Sequence, residues 1–314
     1  MLTTRATPKL PLEPIILALL GILYLPLLWH WVDGWLSKSI SIQHEYFSHG
    51  LLGIPFAGYL VWEARSQWQT LPNRTHWLAI PSLLAAALFY NSGLLDMMNL
   101  SLPLLLAGLL LAIKGGAGFN LYLFPWVLVL LSTPTQFPYL IEPYILPLQS
   151  FIASVAGFIL LQFDVNVVVD GIYLYVNDQL VEVAPHCAGL KMLFTSFYMG
   201  LILTYWTGLN RSRLRTGLFF VGIVAVSVVG NIIRNAVLTF FHGEQMTAAF
   251  EWLHDSWGGD LYSAAMLGCL VGLVRLIERY VPSTLVVDGD RNASTQQPLP
   301  PDLPPEKKPK ADYF

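Results

Sequence analysis

The chain has 314 residues, of which 55% are hydrophobic and only 12% are charged, and its mean hydropathy is +0.56. Roughly a quarter of the residues in a soluble globular domain are charged, so this composition excludes an ordinary water-soluble domain and favours a membrane protein. The net charge of −3 is uninformative about nucleic acid, and the sequence has no basic arm or aromatic-basic stripe that would favour it, so no nucleic-acid partner is predicted.

Eight stretches are apolar enough to be candidate transmembrane helices, although the fifth is short. Arg5 and Lys9 precede the first, which ends in tryptophans typical of a membrane interface, so we predict a retained anchor and not a cleaved signal peptide. The predicted spans cover residues 14–32, 49–64, 77–93, 94–113, 120–133, 187–207, 215–240 and 259–280.

The basic residues predict an orientation for these spans. With eight spans, almost all lysines and arginines fall on one side, together with both chain ends, and that side is expected to be cytoplasmic. Residues 134–186 must then lie outside the membrane or re-enter it, and we interpret 147–162 as an interfacial or re-entrant helix. The β-branched and aromatic runs between 165 and 183 predict a small hairpin or three-strand cap.

The predicted fold class is therefore an all-α polytopic membrane protein with about eight transmembrane helices. A small extracytoplasmic β-hairpin or re-entrant segment precedes the sixth helix. The predicted organisation is a cytoplasmic N-terminus over 1–13, a transmembrane domain over 14–281, and a Pro-rich, disordered cytoplasmic tail over 282–314.

Cys187 is the candidate nucleophile. It follows Pro185 at the predicted start of the sixth span, and a helix N-terminus lowers the pKa of a thiol and offers N–H groups to an oxyanion. Taken alone, a cysteine in a membrane helix is more often an apolar filler, which is our interpretation of Cys269 in the last span. The two thiols lie at different depths, so no disulfide is predicted.

Arg234 and His254 are the other two candidates. Arg234 interrupts an apolar run, and a charge inside a membrane span is functional by default, although an arginine this close to the span end can also extend to the headgroups. His254 is either an interfacial surface residue or the general base that partners Cys187. Asn231, His186 and Glu182 are candidate accessory residues; His186 is a possible second base, and Glu182 has no assigned role.

No cofactor and no metal are predicted. His44, Glu45 and His49 have a spacing that could bind a metal or simply line the outer surface, and we favour the surface. His242-Gly-Glu244 lacks the spacing of the two histidines of a zinc protease.

At three motifs the sequence resembles the exosortase/archaeosortase family. They are Cys187-Ala188-Gly189, Asn231 with Arg234, and His254 with Gly258. The resemblance covers roughly residues 15–280 and looks closest to the cyanobacterial exosortase branch. Ala188 departs from the serine that many members have, which puts a hydroxyl donor at that place in doubt but not the nucleophile.

The resemblance implies a membrane cysteine transpeptidase or protease without a cofactor. Its partners would be the lipid bilayer, an unknown acceptor nucleophile, and exported proteins with a C-terminal tripartite sorting signal of the PEP-CTERM kind. That signal has a short Pro-Glu-Pro-type motif, an apolar helix and a basic cluster. Cys187 would attack near the motif, His254 would move the proton, and Arg234 would stabilise the oxyanion or position the chain.

Two alternatives come from other functional classes. A transporter or channel would use Arg234 as a substrate site, but it commonly shows internal repeats, and the sequence has none. A non-catalytic scaffold for export would have a dispensable thiol.

Overall fold

The computed structural model describes residues 12–36, 46–177, 179–183, 189–254 and 256–282. Its elements are helices and one small sheet. In chain order they are α1 (Leu12–Leu36), α2 (Gly50–Glu63), α3 (Arg65–Thr70), α4 (Ala79–Tyr90), α5 (Leu95–Ile113), α6 (Gly115–Leu121), α7 (Leu123–Ser132), α8 (Phe137–Ile141), α9 (Leu146–Gln162), β1 (Val167–Asp170), β2 (Tyr173–Val176), β3 (Gln179–Glu182), α10 (Leu190–Thr207), α11 (Arg213–Gly243), α12 (Thr247–His254) and α13 (Trp257–Tyr280). Two short 3-10 turns, Glu142–Tyr144 and Leu209–Arg211, follow α8 and α10.

Four of the described helices are long and apolar enough to cross a membrane, namely α1, α5, α11 and α13. The pair α6 and α7, bent by 66°, adds a fifth if it counts as one broken span. The chain is thus a multi-pass membrane protein, but the predicted count of eight is not confirmed. Helices α2 and α4 have only 14 and 12 residues, and a helix of that length spans about 18–21 Å, less than the ~30 Å hydrocarbon layer.

The first helix is an integral part of the fold. The indole N–H of Trp31 donates to Asn99 Oδ1 on α5 over 2.7 Å, and Asn99 Nδ2 donates to the Pro134 carbonyl over 2.9 Å. Tyr24 donates to Ser101 on α5 over 3.0 Å. These groups are buried, and hydrogen bonds between buried polar groups fix how α1 and α5 face each other.

The sheet β1-β2-β3 is antiparallel and occupies the stretch between α9 and α10. Its side chains alternate with the strand period of two: Leu174 and Val176 are fully buried, whereas Tyr173 and Tyr175 are exposed. The buried side chains pack on α9 and α11 in one apolar core. The side of the membrane on which the sheet lies stays a prediction.

Helix α11 is the centre of the second half of the molecule. It has 31 residues and contacts α9, α10, α12 and α13. At its C-terminal end it meets the sheet, because Gly243 leaves room for Val176 and the turn residue Asn177 donates to the Gly243 carbonyl over 3.3 Å. The sheet, the start of α12 and the last turns of α11 therefore lie together at one end of the bundle.

Candidate functional site

A cavity of about 790 Å³ lies between α2, α10, α11 and α13, and Trp35 and Leu36 at the end of α1 also line it. Both polar and apolar side chains line it. The polar ones include Arg234, His254, Lys191, Asp260 and Tyr262. The apolar ones on α10 and α13 include Met199, Met266, Leu267 and Leu270.

Arg234 stands far along α11 from the basic residues that begin that helix. Twenty-one residues separate it from Arg213, which corresponds to about 32 Å of helix, close to the thickness of the hydrocarbon layer. Its side chain is half-buried and lines the cavity. Arg213 and Arg234 are therefore separated along α11 by about one membrane thickness.

His254 is the last residue of α12 and lines the same cavity. Its ring stacks on Phe250, with centroids 5.1 Å apart and an interplanar angle of 10°. The chain turns directly afterwards into α13, and Gly258 permits that turn because an added Cβ would lie 2.6 Å from the Trp252 ring and carbonyl oxygen. The structure thus brings together Arg234 and His254, which come from two different helices.

The first turns of α10 form another wall of the cavity, with Lys191, Thr195 and Ser196. The helix begins at Leu190 after Gly189, which has a φ of +87°. That left-handed conformation favours glycine. An added Cβ at Gly189 would lie 2.8 Å from the side-chain amide of Asn231 on α11, so Asn231 packs directly against this backbone.

The remaining predicted site residues either lie outside the described residues or do not line the cavity. Cys187 and His186 lie outside the described residues, so the prediction that Cys187 opens the helix stays a prediction. Glu182 ends β3 with an exposed side chain and does not line the cavity. Cys269 is a free, exposed thiol on α13.

The prediction that His49 lies on the outer surface is wrong. It is only 6% exposed, its Nε2 lies 3.2 Å from the Leu131 carbonyl oxygen, and its ring is 4.3 Å from that of Tyr198. Burial is possible because Gly53 lets Tyr198 approach α2: a Cβ there would lie 1.6 Å from the Tyr198 hydroxyl. His49 also lines the cavity. The spacing of Gly50, Gly53 and Ala57 was the signal for this closely packed helix face.

Tyr262, Asp260 and Lys191 are further polar residues of the cavity that sequence reasoning missed. Tyr262 donates a hydrogen bond to the Gly230 carbonyl, one helical turn before Arg234. Asp260 stands in the first turn of α13, where the helix dipole favours a negative charge. A polar residue at the edge of an apolar span resembles an interfacial residue, so the sequence carried little signal for them.

The described residues contain no group of three or more histidine, cysteine, aspartate and glutamate side chains that could hold a metal ion. The cavity instead contains a guanidinium, an imidazole and an ammonium among partly apolar lining residues. Such a set can bind negative charge and move a proton, and both effects are stronger where water is scarce.

Comparison with family models finds one that covers most of this region. The model described as "Transmembrane exosortase" matches residues 31–271, about three quarters of the chain, and the match contains Cys187, Arg234 and His254. Neither the curated proteins nor the solved structures gave a match. The match does not distinguish branches of the family. A polytopic helical bundle with the three motifs at these positions, matched over this length, belongs to the transmembrane exosortase family.

Proposed function

We propose that this exosortase is a membrane cysteine transpeptidase or protease that removes the C-terminal sorting signal of exported proteins. The observation that carries the proposal is the shared cavity of Arg234 and His254, one wall of which is formed by the helix that follows Cys187 within three residues. A nucleophile, a proton carrier and a cation near one another are the components of acyl transfer through a thioester.

In the proposed reaction the Cys187 thiolate attacks the carbonyl carbon of the scissile peptide bond. Arg234 stabilises the negative charge that develops on the carbonyl oxygen. The carbon–nitrogen bond breaks, His254 gives a proton to the leaving amine, and the exported protein remains attached to Cys187 as a thioester. An amine of the acceptor, or water, then attacks the thioester, His254 takes its proton, and the thiolate leaves.

The shape of the cavity supports a substrate with a polar motif next to an apolar helix. On α13 the lining runs from Gly259 to Leu270, which corresponds to about 17 Å of helix. Arg234 and His254 line the same cavity as Met199 and Met266, whose flexible side chains adapt to different partners. A tripartite signal would place its motif at the guanidinium and the imidazole, and its apolar helix along the apolar lining residues.

We further propose that the protein resides in the plasma (inner) membrane with both termini in the cytoplasm and the site at the extracytoplasmic face. The support is electrostatic, because basic residues cluster at the beginning of α11 and at the end of α13. Arg234 lies about one membrane thickness from the start of α11.

The test is processing of a co-expressed reporter that ends in a tripartite sorting signal. The wild-type chain should shorten the reporter, whereas Cys187→Ala and Cys187→Ser should not, with all three proteins present in the membrane at equal levels. Cys269→Ala is the matched control, because its thiol is exposed on α13 and does not line the cavity, and it should process normally. Processing by Cys187→Ala would reject the proposal and favour the transporter or scaffold alternatives.

A further inference from the structure

Tyr262 links α13 to the turn of α11 that bears Arg234. Its hydroxyl donates a hydrogen bond to the Gly230 carbonyl, and the two residues are 32 positions apart in the sequence. In an α-helix the carbonyl of residue 230 also accepts the backbone N–H of residue 234. Tyr262 therefore bonds the same carbonyl that closes the helical turn of Arg234.

The two helices pack closely before they reach this turn. An added Cβ at Gly222 would lie 2.5 Å from Leu273 Cδ2, and one at Gly230 would lie 2.4 Å from Met266 Cε. Later residues of α11 thus meet earlier residues of α13, which means that the helices run antiparallel. The apolar cluster between them includes Phe219, Ile223, Leu270 and Val274.

The packing changes at Arg234, because the cavity borders this turn. Arg234, Tyr262 and Met266 all line the cavity. Atoms that border a cavity have fewer neighbours and lose dispersion contacts on that side, so apolar packing alone holds the turn less firmly than it holds the rest of α11. The hydroxyl of Tyr262 supplies a directional link from the neighbouring helix at this point.

The helix that carries Tyr262 also follows His254 directly. His254 is the last residue of α12, and α13 begins three residues later at Trp257. Tyr262 comes five residues after that start and is half-buried. The hydrogen bond to Gly230 therefore ties the turn that bears the guanidinium to the helix that begins beside the imidazole.

We propose that Tyr262 is a positioning residue for Arg234: the hydrogen bond from its hydroxyl to the Gly230 carbonyl fixes the guanidinium relative to His254. This inference deepens the proposed function and rests on it, since it concerns the guanidinium that stabilises the developing negative charge. Tyr262 acts through the backbone of α11 and not on the reacting atoms. Its loss therefore slows the chemical step and leaves the binding of substrate unchanged.

The experiment compares Tyr262→Phe with Tyr24→Phe in the full-length chain at matched membrane levels. Tyr262→Phe removes only the hydroxyl, and it should lower kcat for the reporter by on the order of 10-fold or more with little change in KM, because a misplacement of about 1 Å at a reacting group can cost on the order of 100-fold. Tyr24→Phe is the matched control. Its hydroxyl also joins two helices, through a bond of 3.0 Å to Ser101, but it does not line the cavity, so kcat and KM should stay at the wild-type values.

Modification of arginines by phenylglyoxal gives a readout that requires neither substrate nor Cys187. Peptide mass spectrometry of the full-length chain follows Arg234 and, as an internal reference, Arg275, whose side chain is 81% exposed. Tyr262→Phe should speed the modification of Arg234 by about fivefold, the factor by which an ordinary hydrogen bond shifts a local opening equilibrium. Arg275 should react at an unchanged rate, and Tyr24→Phe should leave both rates unchanged.

The inference requires both effects of Tyr262→Phe. A wild-type kcat would overturn it, whether or not KM rises, and so would an unchanged rate of modification at Arg234. If Cys187→Ala still processes the reporter, the proposed function fails, while the modification of Arg234 still decides whether Tyr262 holds the guanidinium in place.

Discussion

At the scale of single residues, Arg234 is the most informative side chain. It is half-buried in an apolar helix and lines the cavity that His254 also lines. Insertion scales give about 2.5 kcal/mol or more for a charge at the centre of a span, so a charge within an apolar helix needs compensating interactions that a surface arginine does not need. Arg275 on α13 is the contrasting case, with an 81% exposed side chain that lies 3.9 Å from Glu278.

We expect Arg234→Ala to lower kcat/KM for a sorting-signal reporter by on the order of 100-fold or more, because an oxyanion would lose a charged donor. Arg234→Lys should recover only part of this loss, since lysine keeps the charge but not the planar fork of donors. Arg275→Ala is the control and should process at the wild-type rate. Full activity in Arg234→Ala would exclude the guanidinium from the reaction.

The sequence alone predicted Arg234 and His254 as candidates, and both line the cavity, but it did not predict the residues around them. A charged residue in an apolar run is visible without a structure, because the run defines its surroundings. His49 was not recognised as buried, because its burial depends on Tyr198, which comes from a helix far along the chain. Cys187 was identified from its motif, and its placement relative to Arg234 stays a prediction.

At the scale of elements, the junction of α12 and α13 sets the place of His254. The junction is compact because Gly258 packs on Trp252, whose ring meets that of Trp257 edge-on at 5.2 Å. Helix α13 also contains Gly268, where an added Cβ would meet nothing within 4 Å. Substitutions at Gly258 and Gly268 therefore distinguish a need for close packing from the general effect of replacing a glycine in a helix.

Gly258→Ala should displace α12 and His254 and reduce reporter processing by on the order of 100-fold, as expected for a shift of about 1 Å at a reacting group. Gly268→Ala should leave processing unchanged and can stabilise the helix slightly. The measurement is the rate of reporter cleavage at matched membrane levels. Equal rates for both variants would show that the junction does not hold the histidine in place.

The contact between α9 and the sheet gives an independent prediction on stability. Gln149 is 1% exposed, and its Nε2 donates over 2.8 Å to the carbonyl of Val183, the last described residue before the Cys187 segment. Gln149→Met should lower the free energy of unfolding by about 1–3 kcal/mol, because it leaves that buried carbonyl without a partner. Thermal denaturation in detergent measures the change, with Ser154→Ala, on the exposed face of α9, as the control.

The positions of the helices followed from the sequence more readily than their lengths. A helix lies at each of the eight predicted spans and at 146–162, because apolar runs and their flanking polar residues are local signals. The bend between α6 and α7 and the short length of α4 were not visible, since all-apolar stretches give no periodicity to locate a break.

At the scale of the whole molecule, helix length and the distribution of charge give different numbers of spans. Length and hydropathy support four or five of the described helices, whereas the distribution of basic residues fits eight spans. With a cytoplasmic N-terminus, the two counts differ at residues 71–78 between α3 and α4, which are cytoplasmic if α2 and α4 both cross and outside if neither does. A bilayer that thins locally around short helices would reconcile the counts.

Alkaline phosphatase fusions decide between them, since the enzyme is active only after export. The eight-span topology predicts an inactive fusion at Asn73, whereas the count of four or five predicts an active one. An active fusion at Asn73 would show that α2 and α4 do not cross. Fusions at Ser92 and Gly116 are the controls, because both arrangements place Ser92 outside and Gly116 in the cytoplasm.

The most direct test of the central claim is detection of the covalent intermediate on Cys187. Wild-type protein is incubated with a sorting-signal substrate in the absence of an acceptor amine, quenched in acid, digested and examined by mass spectrometry. The account predicts a peptide containing Cys187 that carries the truncated substrate and loses it on treatment with hydroxylamine, and no such adduct on Cys269. Substrate cleavage without an adduct on Cys187 under any quench time would contradict the account.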